Sequence, residues 1–361
     1  MPIIVSAAIW VVIGSSIIKS SFSISTSQSQ PLSAIQPHQQ NNTTIQSSGN
    51  NNNNRTTIVF RVAFVRPTFT YAAYQLNGFY NFYSKYIDPQ PGTNITTDLN
   101  LLTVKVPHGP FLLHNEVLGN VPSIPEKEYI DTLMQHVKQK SPIPINISDI
   151  TDKEVNDGLI FNHTKNADSN NDTNAYDVLF LFHQEYATQA EYYNLKRFVE
   201  NGGTIVFNDA NILTTEINYN KIADTITLVK GHDWQYNGKT AWPSVRERWP
   251  NDTREWVGSN FLQDPTKDNV TFSRDYFGYK HAEEQYATNP KDKIILDFGA
   301  QVISPIEAET NGGAGTHPTV AIYELNDLKG KVIMIGIFGH KLVKNQEFLD
   351  FYDKTIIPAV F

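Results

Sequence analysis

The chain has 361 residues, 40 % of them hydrophobic and 18 % charged, and its 29 basic and 37 acidic residues give a net charge of -8. This composition supports a large hydrophobic core and excludes a chain that is disordered throughout. The acidic balance, without a long run of lysine or arginine, argues against nucleic acid as a partner, and the absence of cysteine excludes disulfides, thiolate metal sites and a cysteine nucleophile.

Residues 1–25 predict a signal peptide or a short N-terminal membrane anchor. Between Pro2 and Ile18 the only polar side chains are three serines, and the first charged residue is Lys19. This apolar stretch suits the hydrophobic region of a signal peptide and is short for a membrane-spanning helix. A buried N-terminal helix or strand is the alternative interpretation.

Residues 26–55 predict a disordered tether rich in Ser, Gln and Asn, because such a tract buries too little apolar surface to offset its ordering entropy. Sequons for N-glycosylation begin at Asn41, Asn42, Asn54, Asn94, Asn146, Asn162, Asn171, Asn251 and Asn269. Together with the signal-like start, they predict a glycoprotein that is secreted or anchored to the cell surface.

Residues 56–361 predict one α/β domain. Ile58 to Val65 is nearly continuous in apolar residues, which is typical of a strand buried on both faces. We expect a helix over the aromatic segment Tyr71 to Tyr86, a second strand at Leu101 to Val106, and an amphipathic helix at Pro125 to Lys140. These elements predict a βαβα opening.

A βαβ unit follows the apolar strand Asp177 to Phe182. Thr188 and Glu191 have the spacing of a capping box, Gly202 and Gly203 end the helix, and Thr204 to Phe207 is a short strand. Further strands are predicted at Lys293–Phe298, Val320–Leu325 and Lys331–Phe338, and a closing helix at Phe348 to Tyr352. The pattern predicts a flavodoxin-like open, mostly parallel sheet with helices on both faces and a long aromatic-rich insertion at 211–290.

The segment from Tyr176 to Ala210, with its turn Asn208-Asp209-Ala210, resembles the class I glutamine amidotransferase-like superfamily. The segment from Gly330 to His340 is similar to a late strand of this superfamily and of its trehalose-utilisation (ThuA-like) branch. In those proteins that strand often delivers a histidine to the active site. The resemblance implies a nucleophile position at or beside Asp209. Because no cysteine is present, thiolate-dependent release of ammonia from glutamine is excluded.

Four ionisable side chains follow the predicted strands: His183, Glu185, Asp209 and His340. Parallel strands place their carboxyl ends at one edge of a sheet, so we expect these groups to converge there as catalytic residues or as ligands of a divalent metal. Otherwise no cofactor is predicted. In the alternative interpretation, Asp209 caps a helix that starts at Asn211, and the histidines are satisfied structural residues.

Four of the five tryptophans lie in the insertion, between residues 231 and 261. Tryptophan planes beside charged side chains are typical of a platform that binds a sugar or another polar ligand. The candidate ligand-binding residues are His232, Trp234, Trp242, Arg246 and Trp256. Alternatively, these rings form a small core that anchors the insertion to the domain.

The sequence therefore predicts an extracytoplasmic domain that is either a non-thiol hydrolase or a degenerate relative that binds a sugar or an amide. Its expected partner is a small polar ligand or a cell-surface component, with membrane contact only through the N-terminal segment. A non-enzymatic interaction module of the cell surface or envelope is the alternative, and the sequence leaves both the catalytic activity and the oligomeric state open.

Overall fold

The computed structural model describes residues 59–75, 78–79, 103–106, 127–162, 172–230, 248–261, 271–281, 286–288, 293–298, 300–301, 319–326 and 328–361. The predicted signal or anchor (1–25) and the predicted tether (26–55) lie outside them. Among the described residues, no helix combines the length and the hydrophobicity needed to cross a membrane.

The strands are β1 (Phe60–Arg66), β2 (Thr103–Lys105), β3 (Ile145–Thr151), β4 (Phe161–Asn162), β5 (Thr173–Asn174), β6 (Val178–Leu181), β7 (Tyr186–Thr188), β8 (Thr204–Phe207), β9 (Thr215–Asn220), β10 (Thr225–Lys230), β11 (Ser259–Phe261), β12 (Thr271–Tyr276), β13 (Tyr279–His281), β14 (Tyr286–Thr288), β15 (Lys293–Asp297), β16 (Ala300–Gln301), β17 (Thr319–Leu325) and β18 (Lys331–Met334). The α-helices are α1 (Thr68–Tyr74), α2 (Lys127–Lys140), α3 (Asp152–Asn156), α4 (Gln189–Glu200), α5 (Pro250–Trp256), α6 (Gln346–Phe351) and α7 (Ile357–Val360). A 3₁₀ turn spans Gly339–Leu342, and a π-helical turn spans Tyr352–Ile356.

The central sheet is mostly parallel. Its five parallel strands lie side by side in the order β3-β1-β6-β8-β18. Beyond β18 the sheet continues antiparallel through β17, which pairs with both β15 and β14. The predicted α/β class with a mostly parallel sheet is thereby confirmed.

Side chains of the central strands alternate between two apolar cores. Along β1, Val62 and Phe64 contribute to one core, and Ala63 and Val65 contribute to the other. The first core is closed by α2, α6 and the residues that follow α6, and the second is closed by α4 and α5. Because both faces are covered, the strands have continuous apolar sequences rather than alternating ones.

The predicted second strand, Leu101 to Val106, is not part of the central sheet. Its described portion, β2, pairs antiparallel with β10 in a separate sheet of order β2-β10-β9-β7. The place beside β1 is taken by β3, which is only partly buried and whose sequence INISDIT has four polar residues among seven. Its position at one end of the central sheet explains why no apolar run marks it.

The predicted capping box of α4 is half formed. The Thr188 hydroxyl accepts a hydrogen bond from the Glu191 backbone N–H at 2.9 Å. The Glu191 carboxyl does not complete the box, because it is fully buried and neither oxygen has a hydrogen-bond partner among the described residues. The charge of Asp152 acts on this buried carboxyl.

Asp152 begins α3 and is also fully buried. It accepts hydrogen bonds from the Thr68 hydroxyl and from the Phe69 backbone N–H, the latter at 2.7 Å, and so ties α3 to the start of α1. Burial raises the pKa of Asp152 to about 7. Burial, reinforced by the charge of Asp152, raises the pKa of Glu191 well above its usual range.

We expect the domain to lose stability as the pH rises. Both folded pKa values lie above those of the unfolded chain, so the stabilisation is complete in acid. The contribution of Asp152 is lost as the pH rises through about 7, and that of Glu191 is lost as the pH rises through its own raised pKa. Each proton that only the folded state holds changes the free energy of unfolding by about 1.4 kcal/mol per pH unit. Denaturant unfolding of the full chain between about pH 5 and 8 measures this loss.

The variant Glu191→Gln should weaken this pH dependence, because it removes one of the two buried acids. Glu200→Gln, at the exposed end of the same helix, is the matched control and should leave the dependence unchanged. If the free energy of unfolding depends on pH in the same way in Glu191→Gln and in the unaltered chain, the buried pair does not control the pH dependence of stability.

Candidate active site

Three neighbouring strands end in polar turns at one edge of the central sheet. β6 leads to His183 and Glu185, β8 leads to Asp209, and β18 leads to His340. Since these strands are parallel, their carboxyl ends lie together, as the sequence predicts. All four side chains are at most 1 % exposed.

Asp209 and His340 form a hydrogen-bonded pair. A single carboxylate oxygen, Asp209 Oδ1, lies 2.7 Å from His340 Nδ1 and also accepts the His340 backbone N–H at 3.0 Å. A carboxylate on Nδ1 favours the tautomer that carries its proton there, which leaves Nε2 as the basic nitrogen of the neutral ring. Asp209 Oδ2 has no hydrogen-bond partner among the described residues.

Close backbone approach makes this pair possible. The Gly339 N–H donates to the Asn208 carbonyl at 2.9 Å, and a Cβ on Gly339 would lie 2.3 Å from that oxygen. A glycine is therefore required for the two turns to meet. Asp209 does not cap a helix from Asn211, because Asn211 has a φ of 51° and the chain proceeds into β9 instead.

His183 and Glu185 form a second pair. His183 Nε2 lies 3.3 Å from Glu185 Oε2, and the Tyr74 hydroxyl donates to the same oxygen at 2.6 Å. No described residue makes a hydrogen bond of good geometry with either ring nitrogen of His183.

The ring of Phe338 lies between the two pairs. Its centroid is 5.2 Å from that of His183 and 5.6 Å from that of His340. The four predicted residues therefore meet as two pairs on either side of an aromatic ring, and not as one hydrogen-bonded cluster. Phe338 and Tyr74 were not predicted, because nothing in their local sequence separates them from core aromatics.

Trp256 belongs to the core and not to a ligand platform. It is 2 % exposed, its indole N–H donates to the Tyr192 hydroxyl at 2.9 Å, and its ring contacts Phe207. It lies in the core beneath α4, where Trp249 stacks on Tyr192 at 4.1 Å. The other candidates from the insertion, His232, Trp234, Trp242 and Arg246, lie outside the described residues.

The described residues contain no group of three His, Asp or Glu side chains placed to hold a metal ion. Asp209 and His340 would supply two ligands, but the Nδ1 atom of His340 already faces Asp209. A divalent ion at this edge therefore stays a prediction.

No protein-family model matches the sequence, and no curated protein matches it. Among solved structures, the chain is similar to Gan42B, a GH42 β-galactosidase, with a TM-score of 0.30 and 16 % identity over 64 % of this chain and 26 % of that one. A catalytic mutant of Gan42B from G. stearothermophilus gives a TM-score of 0.30 and 18 % identity over the same shares. A β-galactosidase from Bacillus circulans sp. alkalophilus gives a TM-score of 0.27 and 11 % identity, over 63 % of this chain and 28 % of that one. The chain spans about a quarter of these enzymes' length.

The variant Gly339→Ala should separate Asp209 from His340. The added methyl group overlaps the Asn208 carbonyl, so the turns must move apart, at an expected cost of about 1–3 kcal/mol in the free energy of unfolding. Denaturant unfolding measures the cost, and NMR of the His340 backbone amide, now bonded to Asp209, measures the separation.

Gly278→Ala is the control, because it adds a methyl group to open space in an exposed turn between β12 and β13. It should lower stability through its positive φ alone and leave the His340 amide signal in place. An unshifted His340 amide in Gly339→Ala would contradict the role given to this glycine.

Proposed function

We propose that residues 56–361 form a domain of flavodoxin-like topology, related to the class I glutamine amidotransferase-like superfamily. The parallel strands support this topology, because their order β3-β1-β6-β8-β18 corresponds to 2-1-3-4-5 in chain order. Asp209 in the turn after β8 and His340 after β18 support the relationship, since these are the positions that the resemblance assigns to the site.

The domain is proposed to be a non-thiol hydrolase of a small polar substrate. The observation that carries this proposal is the double hydrogen bond of Asp209 Oδ1 to the backbone and the ring of His340. A buried carboxylate that fixes one imidazole nitrogen is the arrangement by which enzymes prepare a histidine as a general base.

In the proposed reaction, His340 Nε2 takes a proton from a water molecule while the oxygen of that water attacks the substrate. Asp209 stabilises the imidazolium that forms, and the same proton then passes to the leaving group. The water oxygen forms the new bond, and the bond to the leaving group breaks, so no oxidant or second substrate is needed. Water takes the role that a thiolate would have in a glutamine amidotransferase.

His183 is proposed to bind and orient the substrate. Its imidazole is enclosed by the rings of Tyr74 and Phe338, at centroid distances of 5.7 Å and 5.2 Å, and its nitrogens can donate or accept a hydrogen bond. A sugar hydroxyl or a carboxamide has the matching chemistry, because both groups donate and accept.

The protein is proposed to act outside the cytoplasm, secreted or held at the cell surface by its N-terminal segment. Three sequon asparagines fall within the described residues, Asn146, Asn162 and Asn251, and all three are exposed. Exposure at each of these positions is what attachment of a glycan requires.

Asp209→Asn and His340→Gln should each abolish hydrolysis. General acid–base catalysis contributes about 100- to 10,000-fold, so a loss of that size is expected in kcat of the full chain. The measurement is a screen of p-nitrophenyl esters, p-nitrophenyl glycosides and anilides, followed by kinetics on the substrate found.

Asp252→Asn is the matched control, because Asp252 pairs with Lys196 at 2.5 Å and bonds the Tyr192 hydroxyl near the core beneath α4. It should keep the activity within a few-fold of the unaltered chain. Absence of hydrolysis in the unaltered chain across the screen would favour the non-enzymatic surface module instead.

Asn146→Gln should remove one N-linked glycan. The experiment expresses the full chain with its own N-terminal segment in a host that glycosylates secreted proteins, and compares masses before and after enzymatic deglycosylation. Asn218→Gln, an exposed asparagine of β9 outside any sequon, should change nothing. A chain that carries no glycan at all would contradict the proposed location.

A further inference from the structure

We propose that Tyr352 is a positioning residue for the Asp209–His340 pair, and that it acts through Asn208. The inference rests on the proposed function, in which this pair performs the acid–base step. The π-helical turn Tyr352–Ile356 is then the part of the C-terminal segment that holds the catalytic turn in place.

The Asn208 side chain is held from two sides. The Tyr352 hydroxyl donates to Asn208 Oδ1 at 2.8 Å, and Asn208 Nδ2 donates to the Leu181 carbonyl at 3.1 Å. The Asn208 backbone N–H donates to the same carbonyl at 2.9 Å. The amide therefore spans from the end of β6 to the C-terminal segment and fixes the residue that precedes Asp209.

Asn208 also contacts the turn that carries the histidine, because its carbonyl accepts the Gly339 N–H. One residue thus sets the backbone on both sides of the Asp209–His340 hydrogen bond. A displacement of Asn208 would shift the Asp209 carboxylate directly, because Asp209 is the next residue in the chain. The His340 imidazole would move by a different amount, because Asn208 contacts its turn only through the hydrogen bond from Gly339. Displacements of about 1 Å are enough to lower rates by up to about 100-fold.

The π-helical turn is anchored at its outer side as well. Asp353 accepts a hydrogen bond at 2.6 Å from His136 Nε2 and forms an ion pair at 2.8 Å with Lys140. Both partners of Asp353 lie on α2. Tyr352 points inward to Asn208 while the next residue points outward to α2. π-helical turns are rare and occur frequently at functional sites.

Tyr352 is fully buried, and its hydroxyl remains a donor across the working pH range. Burial raises the pKa of this phenol well above its usual range, and the charge of Asp209 raises it further. The hydroxyl donates to Asn208, the residue that precedes Asp209.

The test is Tyr352→Phe in the full chain, which removes one oxygen and leaves the ring to pack against Phe348. Histidine ring nitrogens are followed by ¹⁵N NMR during a pH titration, with His340 assigned by His340→Gln. In the unaltered chain, the neutral His340 ring should carry its proton on Nδ1 alone. In Tyr352→Phe the two nitrogen signals should move towards each other as both tautomers are populated, and any hydrolysis should fall on the order of 10-fold.

Tyr192→Phe is the matched control, because the Tyr192 hydroxyl is a buried donor too, to Asp252 at 2.8 Å. It should leave the His340 signals unchanged. Asp209→Asn is the second reference. If Asp209→Asn alters the His340 signals and Tyr352→Phe does not, the positioning role of Tyr352 is wrong, and the Asp209–His340 hydrogen bond is retained as the basis of the proposed function. If Asp209→Asn also alters nothing, the pair itself is wrong, and the proposed function fails with it.

Discussion

Burial of the central strands on both faces is the constraint on which the rest of the structure depends. Neighbouring side chains of β1, β6, β8 and β18 enter opposite cores, so each face must be covered by helices. Helix α4 covers one face, and α2 with the C-terminal helices covers the other. The ionisable side chains of the candidate site accordingly lie in the residues that follow the carboxyl ends of these strands.

Those residues are held in place because backbone hydrogen bonding between neighbouring strands continues past the last paired residue. Asn208 N–H donates to the Leu181 carbonyl, and Ile335 N–H donates to the Phe207 carbonyl. Gly339 N–H then reaches the Asn208 carbonyl. The backbone therefore fixes where the Asp209 and His340 side chains begin, and their mutual hydrogen bond needs little further ordering of the chain.

Sequence reasoning found what depends on local pattern. Apolar runs located the buried strands, and the rule that parallel strands end at one edge brought Asp209 and His340 together. Their direct hydrogen bond could not be predicted, because it depends on the approach that Gly339 permits between distant segments. The edge strand β3 was missed because a half-exposed strand has no apolar run. Glu191 has capping-box spacing, but its carboxyl is fully buried and makes no hydrogen bond to the described residues at the helix start.

Unpaired buried polar atoms argue that the carboxyl edge of the sheet serves more than stability. A buried donor or acceptor without a partner costs about 1–3 kcal/mol, and a well-packed apolar residue would avoid that cost. Among the described residues, such atoms include Asp209 Oδ2, Gln184 Nε2 and His183 Nδ1, which lie in turns that follow adjacent strands. A ligand that donates and accepts hydrogen bonds at this edge would offset several of these costs at once, which supports the location given to the proposed reaction.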